Sequence, residues 1–274
     1  MSAAPDRPLT RVLGADYARL MEPPRPAYYH ALRPFAAWFA TGVPALTYHK
    51  LGPRPARVRL KGLYLSGSRF DRQLAELRAA GFTCLALPEV RRAQDPRNPG
   101  VALTFDDGFA SVLSHGLGPL SAHGFHATQF LVADRLGQSN TWDLAAGEAS
   151  EPLMDCAQVR DWLAAGHLIG SHTLSHPQLT RIPMSSVREE IVASKKKLED
   201  LFGVTVDLFC YPYGDWNEAV LEAVQAAGYR AACTTEFGLN TPDTPPFALK
   251  RLTARYPSRN VKALWARLRG WLGR

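Results

Sequence analysis

From about Val43 onward, short apolar runs rich in β-branched and aromatic residues alternate with stretches of helical periodicity. This alternation indicates βα units of a mostly parallel sheet, because a strand buried on both faces needs a crossover helix to reach its parallel neighbour. The predicted strands are 43–48, 101–105, 128–132, 168–171, 206–210 and 229–233. Such a chain closes into a barrel or forms a doubly wound sheet, and both place functional groups on loops at the carboxyl ends of strands.

Helical patterns fall between these strands. Apolar positions repeat at helical spacing within 70–77. A second pattern over 187–201 follows a capping box formed by Ser186 and Glu189, and a third helix is predicted to begin at Asn217.

Length and composition allow one large core. With 274 residues and 46% hydrophobic content, we expect a single main domain at 41–257. The segment 1–40 is rich in proline and is predicted to be an extension that lies along this domain. The segment 258–274 has a basic amphipathic helical pattern with two tryptophans on its apolar face. It either packs on the domain as a last helix or makes peripheral contact with an anionic membrane surface through 259–274.

The charge balance and the cysteines bear on partners and compartment. The net charge of +7 favours anionic partners, but the charges are scattered and no stacking or groove-reading motif is present, so we expect no nucleic acid partner. Four separated cysteines without a C-x-x-C pair predict neither a zinc ribbon nor a disulfide framework. No leader pattern and no apolar run approaching ~18 residues is visible, so we expect a cytoplasmic protein. If the protein contacts a membrane peripherally, we expect that contact at the inner face.

The segment TFDDG at 104–108 directly follows a predicted strand. The adjacent carboxylates of Asp106 and Asp107 repel one another and are costly to desolvate, so burying both usually requires a cation or a shared proton. The alternative is a solvated turn, since Asp-Gly pairs are common turn formers.

The segment HTLSH at 172–176 also follows an apolar strand. His172 and His176 stand at the i, i+4 spacing that one helical turn would direct at a single point. Neutral imidazole is a common zinc ligand, and the pair favours a metal site over a pair of core histidines. One carboxylate with two histidines leaves coordination positions open, as a catalytic metal needs.

The segment FCYPYG at 209–214 is a strand that runs into a proline turn. Such a turn, here at Pro212, can direct a backbone N–H, here that of Tyr213, at the oxygen of a tetrahedral intermediate. By itself the segment indicates only a turn.

Together, TFDDG, HTLSH and YPYG, in this order and with these separations, resemble the motifs of the NodB-homology polysaccharide deacetylases, carbohydrate esterase family 4. The resemblance covers roughly 43–255 and implies an α/β fold, a deformed (β/α) barrel that forms a single main domain. It also implies a metal-dependent hydrolase that removes N-acetyl groups from N-acetylhexosamine units of a polysaccharide or lipid-linked glycan. The implied cofactor is a divalent metal, Zn2+ first, with Co2+, Ni2+ or Fe2+ also suited to such ligands.

The resemblance also implies roles for individual residues. The implied metal ligands are Asp107, His172 and His176. Asp106 would be the general base on a metal-bound water, and Tyr213 would donate its backbone N–H to the oxyanion.

The chain departs from the family pattern in two places. Most members have a late catalytic histidine, whereas no histidine follows His176 here. In the branch that resembles the poly-N-acetylglucosamine deacetylases of biofilms, this segment is permuted to the amino end as a strand ending in Tyr-His. His49, at the end of PALTYH, is therefore predicted to be the general acid that protonates the leaving amine. Cys210 stands where many relatives have a base-orienting arginine, and Arg251 is the candidate that orients Asp106 instead.

Two other functions stay open at this point. Related sequences resemble enzymes that cleave allantoin or imides, so hydrolysis of non-peptide C–N bonds in small cyclic amides is one alternative. The other is a degenerate, non-catalytic glycan-binding module, because the late histidine and the usual arginine are both missing.

Overall fold

A computed structural model of the protein describes residues 27–56 and 58–256. Within these ranges the strands are β1 (Ala45–Tyr48), β2 (Lys50–Leu51), β3 (Tyr64–Leu65), β4 (Thr83–Cys84), β5 (Gly100–Phe105), β6 (Thr128–Leu131), β7 (Leu168–Ser171), β8 (Leu208–Cys210), β9 (Ala231–Phe237) and β10 (Leu249–Thr253). The helices are α1 (Ala36–Phe39), α2 (Gly67–Ala79), α3 (Ala110–His123), α4 (Cys156–Ala164), α5 (Met184–Phe202) and α6 (Glu218–Ala226).

The parallel strands close into a barrel. Their order is β1-β10-β9-β8-β7-β6-β5, and β1 also pairs with β5, which completes the ring. Leu46 of β1 lies opposite Leu103 on one side and Leu252 on the other. This closure confirms the barrel that the resemblance implied and excludes the doubly wound sheet.

Alternate side chains of the strands divide the core into two layers, as the period of two residues in a strand requires. Small and aliphatic residues with one phenylalanine fill the barrel interior; among them are Ala45, Ala102, Phe130, Cys210, Cys233 and Leu249. Larger residues pack between the barrel and its helices; among them are Leu46, Phe105, Trp162, Leu198 and Phe209. With both layers buried, the loops at the strand ends are free to carry polar groups.

The predicted strands are all present, with their ends shifted by a few residues. Asn217 caps α6 as predicted, because its side chain accepts a hydrogen bond from the backbone N–H of Val220. The capping box at Ser186 was wrong. Helix α5 begins three residues before the predicted 187, at Met184 after Pro183, whose fixed φ suits the start of a helix.

Residues 27–40, the described part of the proline-rich extension, pack against the barrel. The backbone N–H of Tyr29 donates to the carbonyl of Thr253 at 2.9 Å, and the carbonyl of Tyr29 accepts from the N–H of Arg255 at 2.9 Å. The extension therefore continues the hydrogen bonding of β10, while α1 buries its aromatic side chains in the core.

Residues 1–26 and 257–274 lie outside the described residues. They include the predicted C-terminal amphipathic helix and its membrane contact. Across 27–56 and 58–256, no helix is both long and apolar enough to span a bilayer.

Candidate active site

The carboxyl ends of the barrel strands bring the predicted site residues together. These residues are His49 after β1, Asp106 and Asp107 after β5, His172 and His176 after β7, Pro212 and Tyr213 after β8, and Arg251 on β10. Because parallel strands all end at the same rim, residues far apart in the chain become neighbours there.

Asp106 takes part in a buried ion pair. Nη1 of Arg251 lies 2.8 Å from Oδ1 of Asp106, and Nη2 lies 2.8 Å from Oδ2, which is bidentate geometry. Burial acts to raise the pKa of Asp106, but the charge of Arg251, with a further contribution from His49, outweighs burial and holds the pKa below its usual value. Asp106 is thus an ionised carboxylate in a fixed orientation.

The other donors of Arg251 are also satisfied. Nε donates to the carbonyl of Thr234 at 2.8 Å, Nη1 to the hydroxyl of Thr104 at 3.2 Å, and Nη2 to the sulfur of Cys210 at 3.1 Å. Cys210 stands where the family resemblance implied an arginine. Arg251 on β10 supplies the guanidinium instead, and the sulfur of Cys210 accepts one of its hydrogen bonds.

Asp107, His172 and His176 form a second buried cluster. Nε2 of His172 and Nε2 of His176 lie 3.4 and 3.3 Å from the same Oδ1 of Asp107. Nδ1 of His172 donates to the carbonyl of Cys210 at 2.6 Å, which fixes the ring and leaves Nε2 directed at Asp107. Burial acts to raise the pKa of Asp107, but hydrogen bonds with the two histidines hold it well below its usual value.

This donor set fits a divalent cation. The ligand atoms of Asp107, His172 and His176 all lie within 4.8 Å of one another. An imidazole lone pair and a carboxylate oxygen repel each other unless a cation or a proton lies between them. The bond from His172 to a backbone carbonyl is also the kind of outer contact that orients metal-ligating histidines. Two nitrogens and one oxygen suit zinc and similar ions.

The HTLSH segment is not helical, so the prediction that one helical turn brings its imidazoles together was wrong. Thr173 and His176 have left-handed backbone conformations, with φ values of 70° and 69°. The hydroxyl of Thr173 accepts from the N–H of His176 at 3.0 Å. Glu190 on α5, which we did not predict, accepts from two consecutive N–H groups of the loop at 2.8 and 2.9 Å. These side-chain acceptors replace the helical hydrogen bonds and let a sharp reversal bring both histidines to Asp107.

Backbone strain is concentrated at this site. Among the described residues, the non-glycine residues with positive φ are Asp107, Thr173, His176 and Tyr213. A left-handed conformation costs a non-glycine residue about 1 kcal/mol or more, and such residues persist where the surrounding structure fixes them. Each of the four lies on a segment that carries a predicted ligand or substrate group.

The YPYG segment forms a tight turn after β8. Tyr213 has φ 60° and ψ 2° in the 3-10 turn Pro212–Gly214. Gly214 has φ 68°, and a Cβ at that position would collide with the side chain of Thr235, so only glycine fits. The side chain of Tyr213 is half exposed, and its ring lies edge-on to that of His176 with centroids 4.6 Å apart.

Trp142 also contacts the site, although we did not predict it. It lies in the connection between β6 and α4, and its ring stacks on His176 with centroids 4.5 Å apart and an interplanar angle of 22°. The imidazole of His176 is thus enclosed by Trp142 and Tyr213. The only sequence signal was a tryptophan in a long loop at the carboxyl end of a strand.

His49 lies beside Asp106. Its Nε2 is 3.8 Å from Oδ2 of Asp106, and its side chain is 19% exposed, so the ring can be reached from solvent. The backbone N–H of Asp106 donates to the carbonyl of Tyr48 at 3.0 Å, which ties the end of β1 to the end of β5. This register places the Tyr-His segment next to the TFDDG segment.

A sequence profile of the family described as polysaccharide deacetylase matches residues 93–232, about half of the chain. The chain therefore belongs to the polysaccharide deacetylase family, which confirms the resemblance of the three motifs.

Curated relatives agree with this family. The YxkH protein of Bacillus subtilis is 25% identical over 225 residues, which cover 79% of this chain and 74% of YxkH. The peptidoglycan-N-acetylglucosamine deacetylase PgdA of Listeria monocytogenes is 30% identical over 173 residues, 63% of this chain and 32% of PgdA. The match thus spans about a third of the Listeria enzyme.

Solved structures share the fold. The deacetylase PplD of Streptococcus pyogenes, in complex with acetate, superposes with a TM-score of 0.66 at 22% identity, over 82% of this chain and 97% of that chain. IcaB from Ammonifex degensii gives a TM-score of 0.65 at 21% identity, over 84% and 97%. At these identities the likeness establishes the barrel alone.

Proposed function

We propose that this protein is a metal-dependent hydrolase that removes N-acetyl groups from N-acetylhexosamine units of a polysaccharide or a lipid-linked glycan. The observation that carries the proposal is the pairing of two buried carboxylates with different partners. Asp107 faces two imidazoles, whereas the adjacent Asp106 is paired with Arg251. Family membership and the activity named for the Listeria relative support an N-acetylated glycan as substrate.

In this proposal Asp107, His172 and His176 hold a divalent ion, zinc being the best match to the donors. When bound, such an ion supplies Lewis acidity that polarises the acetamide carbonyl and makes water a better nucleophile. Asp106 is ionised and oriented, so it accepts the proton of the attacking water.

The remaining groups act on the other atoms of the amide. The backbone N–H of Tyr213 donates to the carbonyl oxygen as negative charge develops there. His49 donates a proton to the sugar nitrogen as the C–N bond breaks. Water and the amide are thereby converted into acetate and a free amine.

The test is acetate release from N-acetylglucosamine oligomers by the purified protein, with added zinc and after treatment with a chelator. Zinc-dependent release that is lost in D106N and H49A, but kept in the control H126A, supports the proposal. Activity on small cyclic amides without activity on glycans would assign the chain to the other hydrolase class. Glycan binding that persists with no turnover would assign it to non-catalytic binding modules.

A further inference from the structure

A lysine side chain is buried directly after His49. Lys50 lies on β2 and is 1% exposed. Its Nζ lies 3.5 Å from the phenol oxygen of Tyr64 and packs over two aromatic rings, 4.8 Å from the centroid of Tyr64 and 4.5 Å from that of Phe109. Removing an ammonium from water is costly unless negative charge or π-electron density replaces the solvent.

Three of the four carboxylates that act on Lys50 come from one loop. We define the acidic loop as residues 139–153, which form the greater part of the connection between β6 and α4. Its carboxylates are Asp143, Glu148 and Glu151. The phenol of Tyr64 donates to Glu151 at 2.9 Å, so a continuous path of hydrogen bonds runs from Lys50 into the loop. Burial holds the pKa of Lys50 below its usual value, although the three loop carboxylates and Asp107 act to raise it.

The acidic loop is braced internally by Asn140, whose side chain is fully buried. Its Oδ1 accepts from the backbone N–H of Glu151 at 2.7 Å, and its Nδ2 donates to Asp143 at 3.1 Å. These two bonds link the start of the loop to its end, and Trp142 lies between the joined residues Asn140 and Asp143.

The same loop reaches the candidate metal centre. Trp142 stacks on His176, and Nδ1 of His176 is buried without a hydrogen-bond partner among the described residues. The indole of Trp142 therefore holds the imidazole of His176 by stacking, since no hydrogen bond at Nδ1 fixes that ring among the described residues.

We propose that Lys50 is a positioning residue whose ammonium anchors the acidic loop, through Tyr64 and Glu151, so that Trp142 stays stacked on His176. The effect on turnover rests on the proposed function, whereas the effect on the loop does not. A lysine that only filled space in the core would leave the loop unaffected when replaced by methionine, which has a similar apolar stem.

Hydrogen exchange of backbone amides, followed by mass spectrometry, tests the anchoring without any activity. The variant is K50M. The control is K195M, because the ammonium of Lys195 also lies over an aromatic ring, while its partners Glu199, Tyr229 and the carbonyl of Val206 are all outside the loop. We expect K50M to speed exchange in the acidic loop by about tenfold or more, which corresponds to roughly 1.4 kcal/mol of lost local stability. Exchange in the barrel strands should stay unchanged, and K195M should leave the loop as in the wild type.

A milder variant, Y64F, keeps the ring and removes the hydroxyl that joins Lys50 to Glu151. It should speed exchange in the same peptides by a smaller factor. Unchanged loop exchange in both K50M and Y64F would overturn the proposal. So would faster exchange spread evenly over loop and barrel, because Lys50 would then contribute only to global stability.

Zinc affinity and turnover supply the functional readout. We expect K50M and W142A each to weaken zinc binding and lower kcat/KM, and the double variant to lose little more than either alone, because both act through one contact. Fully additive losses would overturn the link to Trp142. If the wild-type protein itself released no acetate with zinc present, the proposed function would fail, while the exchange experiment would still decide the role of Lys50.

Discussion

Arg251 binds both carboxylate oxygens of Asp106 at 2.8 Å, from a strand that is 145 residues away in the chain and two positions away around the barrel. The pair is buried, and the same guanidinium also contacts Cys210. The orientation and the charge of the candidate base therefore depend on a residue of β10. The resemblance to the family had implied an arginine at the position of Cys210 for this role.

The first prediction concerns the pH dependence set by this pair. In R251M, burial still acts on Asp106 but the compensating charge is gone, so the pKa of Asp106 rises. A base works only when deprotonated, so the acid limb of the kcat/KM profile should move to higher pH, with activity at neutral pH reduced roughly 100-fold. The measurement is kcat/KM against pH for both proteins at saturating zinc. An acid limb at the wild-type pH would contradict this assignment.

The second prediction separates the two adjacent carboxylates. D107N should lose zinc, because a neutral amide replaces the anionic ligand that faces both imidazoles. D106N should keep zinc and lose turnover by roughly 100-fold or more, since only the proton acceptor is removed. Zinc content after dialysis and acetate release should be measured on both. Equal loss of zinc in the two variants would mean that the carboxylates share one role.

Most of the barrel could be predicted because its strands have strong local signals. Short apolar runs marked six of the barrel strands, and the polar residues just after them fell at one rim. The strand β10, which helps to close the ring, had a weaker sequence signal. β10 carries Lys250 and Arg251 inside its span, so its sequence does not resemble a buried strand, although Arg251 is buried by its pairing with Asp106.

The helices that we did not predict have weak periodicity for identifiable reasons. Helix α3 contains Gly116, Gly118 and Pro119, which interrupt the helical pattern, and α4 has only nine residues.

The backbone conformation of HTLSH could not be predicted from the sequence either. Spacing alone cannot distinguish a helical turn from a loop whose N–H groups bind Glu190, because that partner comes from another element.

The third prediction tests the proton donor. H49Q should lose most activity on N-acetylglucosamine oligomers, since the amine leaves only after it is protonated. With 4-nitrophenyl acetate the leaving group needs no proton, so H49Q should retain activity close to that of the wild type, whereas D106N should lose it. Comparison of both variants on both substrates checks this. Equal losses of H49Q on the amide and the ester would show that His49 does not donate the proton.

The fourth prediction concerns stability and uses a histidine away from the site. His167 is 5% exposed, its ring packs 4.2 Å from that of Trp162, and its Nδ1 has no hydrogen-bond partner among the described residues. Burial, with a smaller effect of His126, lowers the pKa of His167 from 6.5 to about 4.

The unfolded chain therefore binds a proton at His167 below about pH 6.5, while the folded protein does so only near pH 4. The free energy of unfolding should fall as the pH drops through this window, by at most about 3 kcal/mol from this residue. The variant H167F keeps an aromatic ring against Trp162 and removes the titrating group, so its stability should fall less over the same window. Urea unfolding of wild type and H167F at pH 7 and pH 5, with the chelator present in every sample to exclude metal effects, measures the difference. If the two proteins lost equal stability between these pH values, His167 would have to be protonated in the fold or accessible to water, and the neutral, buried ring described here would be wrong.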